Sequence, residues 1–144
     1  MLLSTFLILT LTGCKSIQPV TAADYQAKVE KLGYSVVVNP HANDYEYIKT
    51  RVEIDQGEFL VTFMKTKTVD DAIAVYNQQK SQYIAQKGSS SVETTVETSN
   101  LRTYTLKSGD AYCLVEQAGA TVIFSRCHTA DSAKLDAIIK AIGY

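Results

Sequence analysis

The side chains with the most reactive chemistry in this 144-residue chain belong to three cysteines and two histidines. Thiolates and imidazoles serve as nucleophiles, bases and metal ligands, so their spacing is the first guide to a catalytic or metal site. His41 lies near Asp44 and Glu46 in the stretch NPHANDYEY, which is typical of a turn. A metal site needs three or four converging ligands, and these three residues fall short of that. We interpret His41 as a surface residue of a solvated loop.

Cys127 and His128 are adjacent, which would suit a nucleophile and its base. Consecutive residues of a strand point to opposite faces of the sheet, however, so the two side chains cannot act together. The sequence also has no G-x-S-x-G nucleophile motif, and its seven glycines are scattered at turns and helix ends rather than gathered in a phosphate-binding loop. We therefore expect a protein without catalytic residues, metal or cofactor.

Cys113 and Cys127 fall on adjacent predicted strands, and the turn between the strands decides whether a disulfide can join them. A two-residue turn at Ala118-Gly119 would set Cys113 opposite Phe124 and turn Cys127 to the other face of the sheet. A five-residue loop from Ala118 to Val122 would instead set the two cysteines opposite each other, where a disulfide can form. Both alternatives stay open.

The N-terminal run from Leu2 to Leu11 is too short to cross a bilayer as a helix, which needs about 20 apolar residues. It suits the hydrophobic region of a secretory signal. Directly after it, Leu11-Thr12-Gly13-Cys14 resembles the lipobox of bacterial lipoproteins. The resemblance implies a signal peptide over residues 1–13 and lipidation of Cys14, which would hold the protein at the extracytoplasmic face of the cell membrane. Each buried CH₂ of the acyl chains would contribute about 0.8 kcal/mol to that anchoring.

The rest of the chain divides into a short tether over residues 14–20, which includes the anchor, and a single domain over residues 21–144. A domain of this length can bury a hydrophobic core of its own. The formal net charge of −1 provides no basic field for nucleic acid, so we expect no nucleic-acid partner.

Three helices are predicted by one recurring pattern, a threonine at the start and a glycine at the end. In the first two helices an aspartate, Asp24 or Asp71, stands three residues after the threonine, as in a capping box. The three predicted segments run from Thr21 to Gly33, from Thr68 to Gly88 and from near Thr129 to Gly143.

Alternating and β-branched segments between the helices predict strands. Ile48, Val52 and Ile54 are expected to share one face of the second strand. Short polar separators at Ser99-Asn100, Ser108-Gly109 and Ala118-Gly119 are typical of hairpins and make the last four strands an antiparallel meander. The predicted strands are Tyr34–Val38, Tyr45–Ile54, one through Phe59–Phe63, Val92–Thr98, Leu101–Lys107, Ala111–Gln117 and Thr121–Cys127.

These elements predict an α+β fold, an antiparallel sheet covered by about three helices. From Glu58 onward the order β-α-β-β-β-β-α is similar to a single TATA-binding-protein-like or helix-grip repeat. That likeness is one of element order alone and implies nothing about DNA.

In its overall sequence features the mature chain is similar to small lipoproteins of Gram-positive gut bacteria. The shared features are a first helix that ends in GY, a long helix VDDAIAVYNQQKSQY, a Ser/Thr-rich hairpin and a terminal IGY. That resemblance brings no catalytic residues.

The Ser/Thr-rich run SSSVETTVETSNLRTYT alternates Val and Thr from Val92 to Thr98 and reads as a strand with a polar face. With Arg102 and Tyr104 nearby, this hairpin is the predicted binding surface. The expected function is that of a membrane-anchored, non-catalytic binding or accessory domain for an envelope protein or peptide. The alternative is a small-molecule-binding lipoprotein with a cleft between the long helix and the sheet.

Overall fold

The computed structural model describes residues 17–39 and 45–144 of the chain. In these residues three α-helices accompany one antiparallel sheet of seven strands, which confirms the predicted α+β class. The helices are α1 (Ala22–Lys31), α2 (Val69–Ala85) and α3 (Ser132–Ile142), the last preceded by a 3₁₀ turn at Thr129–Asp131. The strands are β1 (Val37–Asn39), β2 (Ile48–Gln56), β3 (Phe59–Thr66), β4 (Ser91–Glu97), β5 (Arg102–Ser108), β6 (Ala111–Ala118) and β7 (Thr121–His128).

Two meanders, joined along β3 and β7, make up the sheet. The strand order is β1-β2-β3-β7-β6-β5-β4, and every neighbouring pair is antiparallel. Strands β4 to β7 form the predicted four-stranded meander, and the predicted β-α-β-β-β-β-α order from β3 onward is confirmed. Helix α2 therefore carries the chain from β3, inside the sheet, to β4 at one edge.

Helices cover both faces of the sheet, which produces two apolar clusters. On one side, the α1/α3 face, Phe63 and Ile123 pack with residues of α1 and α3. Tyr25 of α1 stacks on Phe63 with ring centroids 4.8 Å apart. On the opposite side, the α2 face, Met64 and Val122 pack with residues of α2. Neighbouring residues of β3 and β7 thus enter different clusters, as the alternation of side chains along a strand requires.

The predicted N-caps of α1 and α2 are confirmed. The Thr21 hydroxyl accepts a hydrogen bond from the Asp24 N–H at 3.1 Å. Thr68 and Asp71 form a complete capping box, in which the Asp71 N–H donates to the Thr68 hydroxyl and the Thr68 N–H donates to the Asp71 carboxylate. These bonds satisfy backbone donors that the first turn of a helix leaves without partners.

Two predicted helix boundaries are wrong because the residues concerned bond to the sheet. Helix α2 ends at Ala85, short of Gly88, whose N–H donates to the Ser108 hydroxyl at 2.8 Å. Thr129, the expected start of the last helix, opens the 3₁₀ turn instead, and its N–H donates to the Asp110 carbonyl at 2.8 Å. In both places a contact distant in sequence overrides the local signal.

A bulge in β2 corrects the predicted face of Ile48. The pairing register with β3 shifts between Ile48 and Thr50, so Lys49 is an extra residue without a partner in the ladder. An extra residue reverses the alternation of side chains. Ile48 therefore packs in the cluster on the α2 face, while Val52 and Ile54 pack on the α1/α3 face.

The two cysteines of the hairpin β6–β7 are free thiols, which excludes the disulfide that the five-residue loop would have allowed. The turn has two residues, Gly119-Ala120, one position later than the two-residue turn considered from the sequence. Cys113 consequently pairs with Arg126, and Cys127 pairs with Tyr112. Cys113 lies in the cluster on the α2 face and Cys127 in the cluster on the α1/α3 face, so the sheet itself separates the two sulfurs.

We expect both thiols to be unreactive in the folded protein. Burial raises the pKa of Cys113 and raises the pKa of Cys127 to about 11, and the reactive species is the thiolate. In a Cys14→Ala variant, Ellman's reagent should detect no thiol under native conditions and two in guanidinium. An intact mass that increases by two hydrogens on reduction would contradict the register.

Candidate functional site

The predicted binding surface on the hairpin β4–β5 includes one residue that the structure assigns to the core. Tyr104 is almost completely buried on the α2 face, and its hydroxyl donates to a Glu93 carboxylate oxygen at 2.9 Å. The ammonium of Lys80 on α2 lies 5.2 Å from the centre of the Tyr104 ring. Arg102 occupies the same face, since Arg102 and Tyr104 are two positions apart on one strand, and it is half-buried. Tyr104 is therefore a packing residue, which corrects the prediction.

The exposed surface of this hairpin is its other side. We call it the open face, defined by Val92, Thr94 and Val96 of β4 with Thr103, Thr105 and Lys107 of β5. These residues continue the α1/α3 face beyond the area that the helices bury, and Val92 and Val96 are 67% and 48% exposed. The alternation of Val and Thr that the sequence singled out along β4 thus points to solvent.

Strand β4 is also an edge of the sheet. It pairs with β5 along all seven of its residues without a register shift, and no other described residue forms a ladder on its outer side. Such an edge presents unpaired backbone N–H and C=O groups that can template a further strand. The opposite edge, β1, has only the three residues Val37–Asn39. Within the described chain, β4 is the longer and more regular edge.

The charges of β4 point away from the open face. Glu93 projects to the α2 face, where it accepts from the Lys87 ammonium at 2.7 Å and from the Tyr104 hydroxyl. These hydrogen bonds, that of Lys87 first, hold the pKa of Glu93 below its usual range. Glu97 pairs with Arg102, so it occupies that side of the hairpin too. The β4 side of the open face is left uncharged and β-branched, which suits contact with another strand. Lys107 of β5, opposite Val92, adds an exposed ammonium to the same face.

A buried carboxylate bounds the open face where it meets the core. Glu116 of β6 pairs with Thr103 and is only 5% exposed. The Thr103 hydroxyl donates to one Glu116 oxygen at 3.2 Å, while the other oxygen has no hydrogen bond to any described residue. Burial is the main cause that raises the pKa of Glu116, to about 7. Near neutral pH this acid is therefore part protonated.

At one end of the sheet His128 joins two turns. Its Nδ1 lies 3.0 Å from a carboxylate oxygen of Asp110, and its Nε2 contacts a carboxylate oxygen of Glu58. Only the protonated imidazolium can donate from both ring nitrogens to the two carboxylates, so this arrangement favours the charged form of His128. The bond to Glu58, followed by that to Asp110, raises the pKa of His128. These three side chains line an open cleft of about 480 Å³.

This cluster is arranged for an ion pair rather than for metal binding or nucleophilic catalysis. The two carboxylates face different nitrogens of one imidazole, so they cannot converge on a single ion beside it. Among the described residues, no group of three or more His, Cys, Asp or Glu side chains could hold a metal ion. Cys127 turns into the opposite cluster with a raised pKa, as its position next to His128 in one strand requires.

Sequence reasoning missed the His128 cluster because it depends on the pairing of β3, β6 and β7. The ladder between β3 and β7 ends at Leu60 and Arg126, and its continuation sets Glu58 beside His128. Asp110 immediately precedes the residue that pairs with His128. The signal available in the sequence was an acidic residue directly after the glycine of two turns, in Gly57-Glu58 and Gly109-Asp110. His41 and Asp44, the other histidine site considered, lie outside the described residues.

The segment before α1 packs on the domain instead of forming a free tether. Val20 is buried in the core cluster of the α1/α3 face, and its N–H donates to the Tyr144 hydroxyl at 3.1 Å. The Tyr144 oxygen lies 2.8 Å from the hydroxyl oxygen of Thr121, at the start of β7. The Ile17 carbonyl accepts from the Asn100 side chain at 3.5 Å. Cys14, the predicted lipidation site, lies outside the described residues.

The space between α2 and the sheet is small. A groove there has a volume of about 150 Å³ and is lined by residues that include Tyr47, Met64, Val75 and Phe124. Pockets for small organic ligands usually have volumes of about 300–1,000 Å³. The cleft at the predicted place is therefore below the usual size for such a ligand.

Comparisons with known proteins identify no family. No family model matches the chain, and no curated protein matches it. A solved structure with some likeness is the extracellular domain of PknH from Mycobacterium tuberculosis. The two are 11% identical, the alignment covers 85% of this chain and 90% of the other, and the TM-score is 0.39.

No helix in the described part of the chain is both long and apolar enough to cross a bilayer.

Replacing Glu116 should make the protein more stable at high pH only. A folded-state pKa above the unfolded value means that the native state holds the proton more tightly, so this contribution to stability is present below about pH 4.5 and is lost as the pH rises through about 7. Glu116→Gln removes that loss. Its advantage over the wild type in urea unfolding should grow between pH 4.5 and pH 8, by roughly 3 kcal/mol at most.

Glu97→Gln, at an exposed position of the edge strand β4, is the matched control and should show no such trend. An equal effect of Glu116→Gln at both pH values would mean that the carboxyl is not buried as described.

The His128 ion pairs predict a second titration result. Since the bond to Glu58 is the main cause of the raised pKa, Glu58→Gln should lower the pKa of His128, as followed by proton NMR of the imidazole. Any stability that the pair contributes is present below the unfolded pKa of histidine and is lost as the pH rises through the folded value. Asp55→Asn removes a carboxylate from the same turn without touching His128, and an equal decrease in that variant would contradict the direct bond.

Proposed function

We propose that this protein is a lipid-anchored, extracytoplasmic binding domain that pairs its edge strand β4 with an extended segment of an envelope protein. The anchor would be Cys14, on the strength of the lipobox-like Leu11-Thr12-Gly13-Cys14. The role is a non-catalytic one in this proposal. The buried thiols have raised pKa values, and both nitrogens of His128 are engaged, so these groups are poorly placed to act as a nucleophile or a base.

The observation that carries the proposal is the combination, on strand β4, of a regular free edge and exposed, uncharged side chains toward the open face. Proteins usually protect edge strands with charges, prolines, bulges or short length. Strand β4 has no proline and no bulge, is seven residues long, and turns both its glutamates to the other side. An added strand would gain backbone hydrogen bonds along β4 and side-chain contacts with Val92 and Val96, which is the mode called β-augmentation.

The small-molecule alternative has weaker support. It needs a cleft between α2 and the sheet, and the groove found there has a volume of only about 150 Å³. The larger cleft beside His128 lies at an end of the sheet, between the β2–β3 and β5–β6 turns, so it is not the cleft between α2 and the sheet that this alternative requires.

The test is site-specific photocrosslinking in cells that produce the protein. A photoreactive residue at Thr94, on the open face, should capture one partner protein reproducibly. The same residue at Val37, 63% exposed on the other edge, should not capture it. Val92→Lys/Val96→Lys should abolish the capture from Thr94, because charge on the open face opposes burial against a partner strand.

Val37→Lys is the matched control and should leave the capture intact. All of these residues are exposed, so the variants should unfold within about 0.5 kcal/mol of the wild type. Equal capture from both edges, or capture that survives the double substitution, would overturn the assignment of β4. Loss of membrane association in Cys14→Ala tests the anchor separately.

A further inference from the structure

The two ends of the sheet differ in which part of the chain they hold. We call the anchor end the one formed by the β4–β5 turn (Thr98–Leu101), the β6–β7 turn (Gly119-Ala120) and the chain around Thr66. The Thr66 N–H donates to the Ala120 carbonyl at 3.0 Å, and the Lys67 N–H donates to the Tyr47 carbonyl at 2.8 Å, so the segments meet there. The far end holds His128 and the β2–β3 and β5–β6 turns.

The segment 17–20 is fixed to the anchor end by contacts with three separate elements. Ile17 accepts from Asn100 of the β4–β5 turn, and Val20 donates to Tyr144 after α3. Pro19 lies directly over Gly119 of the β6–β7 turn, where even a Cβ atom on the glycine would come within 2.6 Å of the proline ring. The path of the chain before α1 is thereby set against one end of the sheet.

From these contacts we infer that the anchor end faces the bilayer surface and that β4 stands away from the membrane, an inference that rests on the proposed lipidation of Cys14. Three residue steps separate Cys14 from Ile17 and span at most about 11 Å. The seven residues of β4 extend roughly 24 Å at about 3.4 Å per residue. A lipid on Cys14 can therefore hold the anchor end at the headgroups, while the far end is beyond its reach.

The side chains of the anchor end fit an interfacial position. Tyr45, just before β2, is 51% exposed, and Val69, in the first turn of α2, is exposed as well. The Tyr45 ring lies 5.3 Å from the ring of Tyr47, so two amphipathic rings share this end. Tyrosine is enriched at the membrane–water interface because its ring is apolar and its hydroxyl is polar. Lys67 is exposed at this end together with the acidic Glu46 and Asp70, so the tyrosine rings, and not net charge, support the interfacial position.

This orientation has a direct consequence for β4. The strand runs from Ser91 at the far end to Glu97 at the anchor end. Its edge then extends outward from the membrane along its whole length, so a segment of a neighbouring envelope protein can approach it from the side.

The orientation can be measured with the lipidated protein in vesicles of phosphatidylethanolamine and phosphatidylglycerol that carry a headgroup nitroxide. Single exposed residues, Ser99→Cys at the anchor end and Gln56→Cys at the far end, receive a bimane fluorophore, and Thr94→Cys lies between them. The buried native cysteines should stay unlabelled, which the unsubstituted protein checks. We expect quenching at position 99 to be several-fold stronger than at position 56, with an intermediate value at 94.

Equal quenching at positions 99 and 56, or stronger quenching at 56, would overturn the orientation while leaving the anchor intact. The mass of the N-terminal peptide of the same preparation reports lipidation independently. An unacylated Cys14 would overturn both the anchor and the orientation that rests on it.

Discussion

The pairing of β3 with β7 is the contact on which the rest of the structure depends. It joins residues that are far apart in sequence, from Leu60 with Arg126 to Lys65 with Thr121, and unites two meanders in one sheet. Strand β3 is paired with β2 on one side, and the meander that follows α2 attaches to the other side through its last strand. That attachment leaves β4 at an edge and brings the turns that hold Glu58 and Asp110 together around His128. Closing such a distant contact has an entropic cost, and burial on two faces must offset it.

Local features of this fold can be predicted from the sequence, whereas features that depend on the pairing register of the strands cannot. The caps at Thr21 and Thr68 and the hairpin separators act within a few residues, so their signals are complete in short windows. A single inserted residue, Lys49, was enough to place Ile48 on the opposite face. A turn one position later than expected decided how the two cysteines are placed.

The candidate binding surface shows the same division. The strand with alternating Val and Thr could be identified from the sequence, and its exposure could be suspected. The face of the hairpin that the helices cover could not be predicted from the sequence, because it depends on where α2 crosses the sheet. Tyr104 and Val96 both lie on this hairpin, yet one is buried under α2 and the other is exposed. The burial of Glu116 likewise follows from the packing of β6 between its neighbours and has no sequence pattern of its own.

The bond between Val20 and Tyr144 has a topological consequence. It brings the segment that leads into the first helix together with the residue that follows the last one, so the chain enters and leaves the domain at one pole. A domain with adjoining entry and exit can be inserted into a longer chain, or permuted, with little disturbance to its interior. A module appended after Tyr144 would start on the same side as the N-terminal segment. The far end of the sheet and the edge strand β4 would then stay accessible. The domain would project to one side of the longer chain instead of separating the segments before and after it.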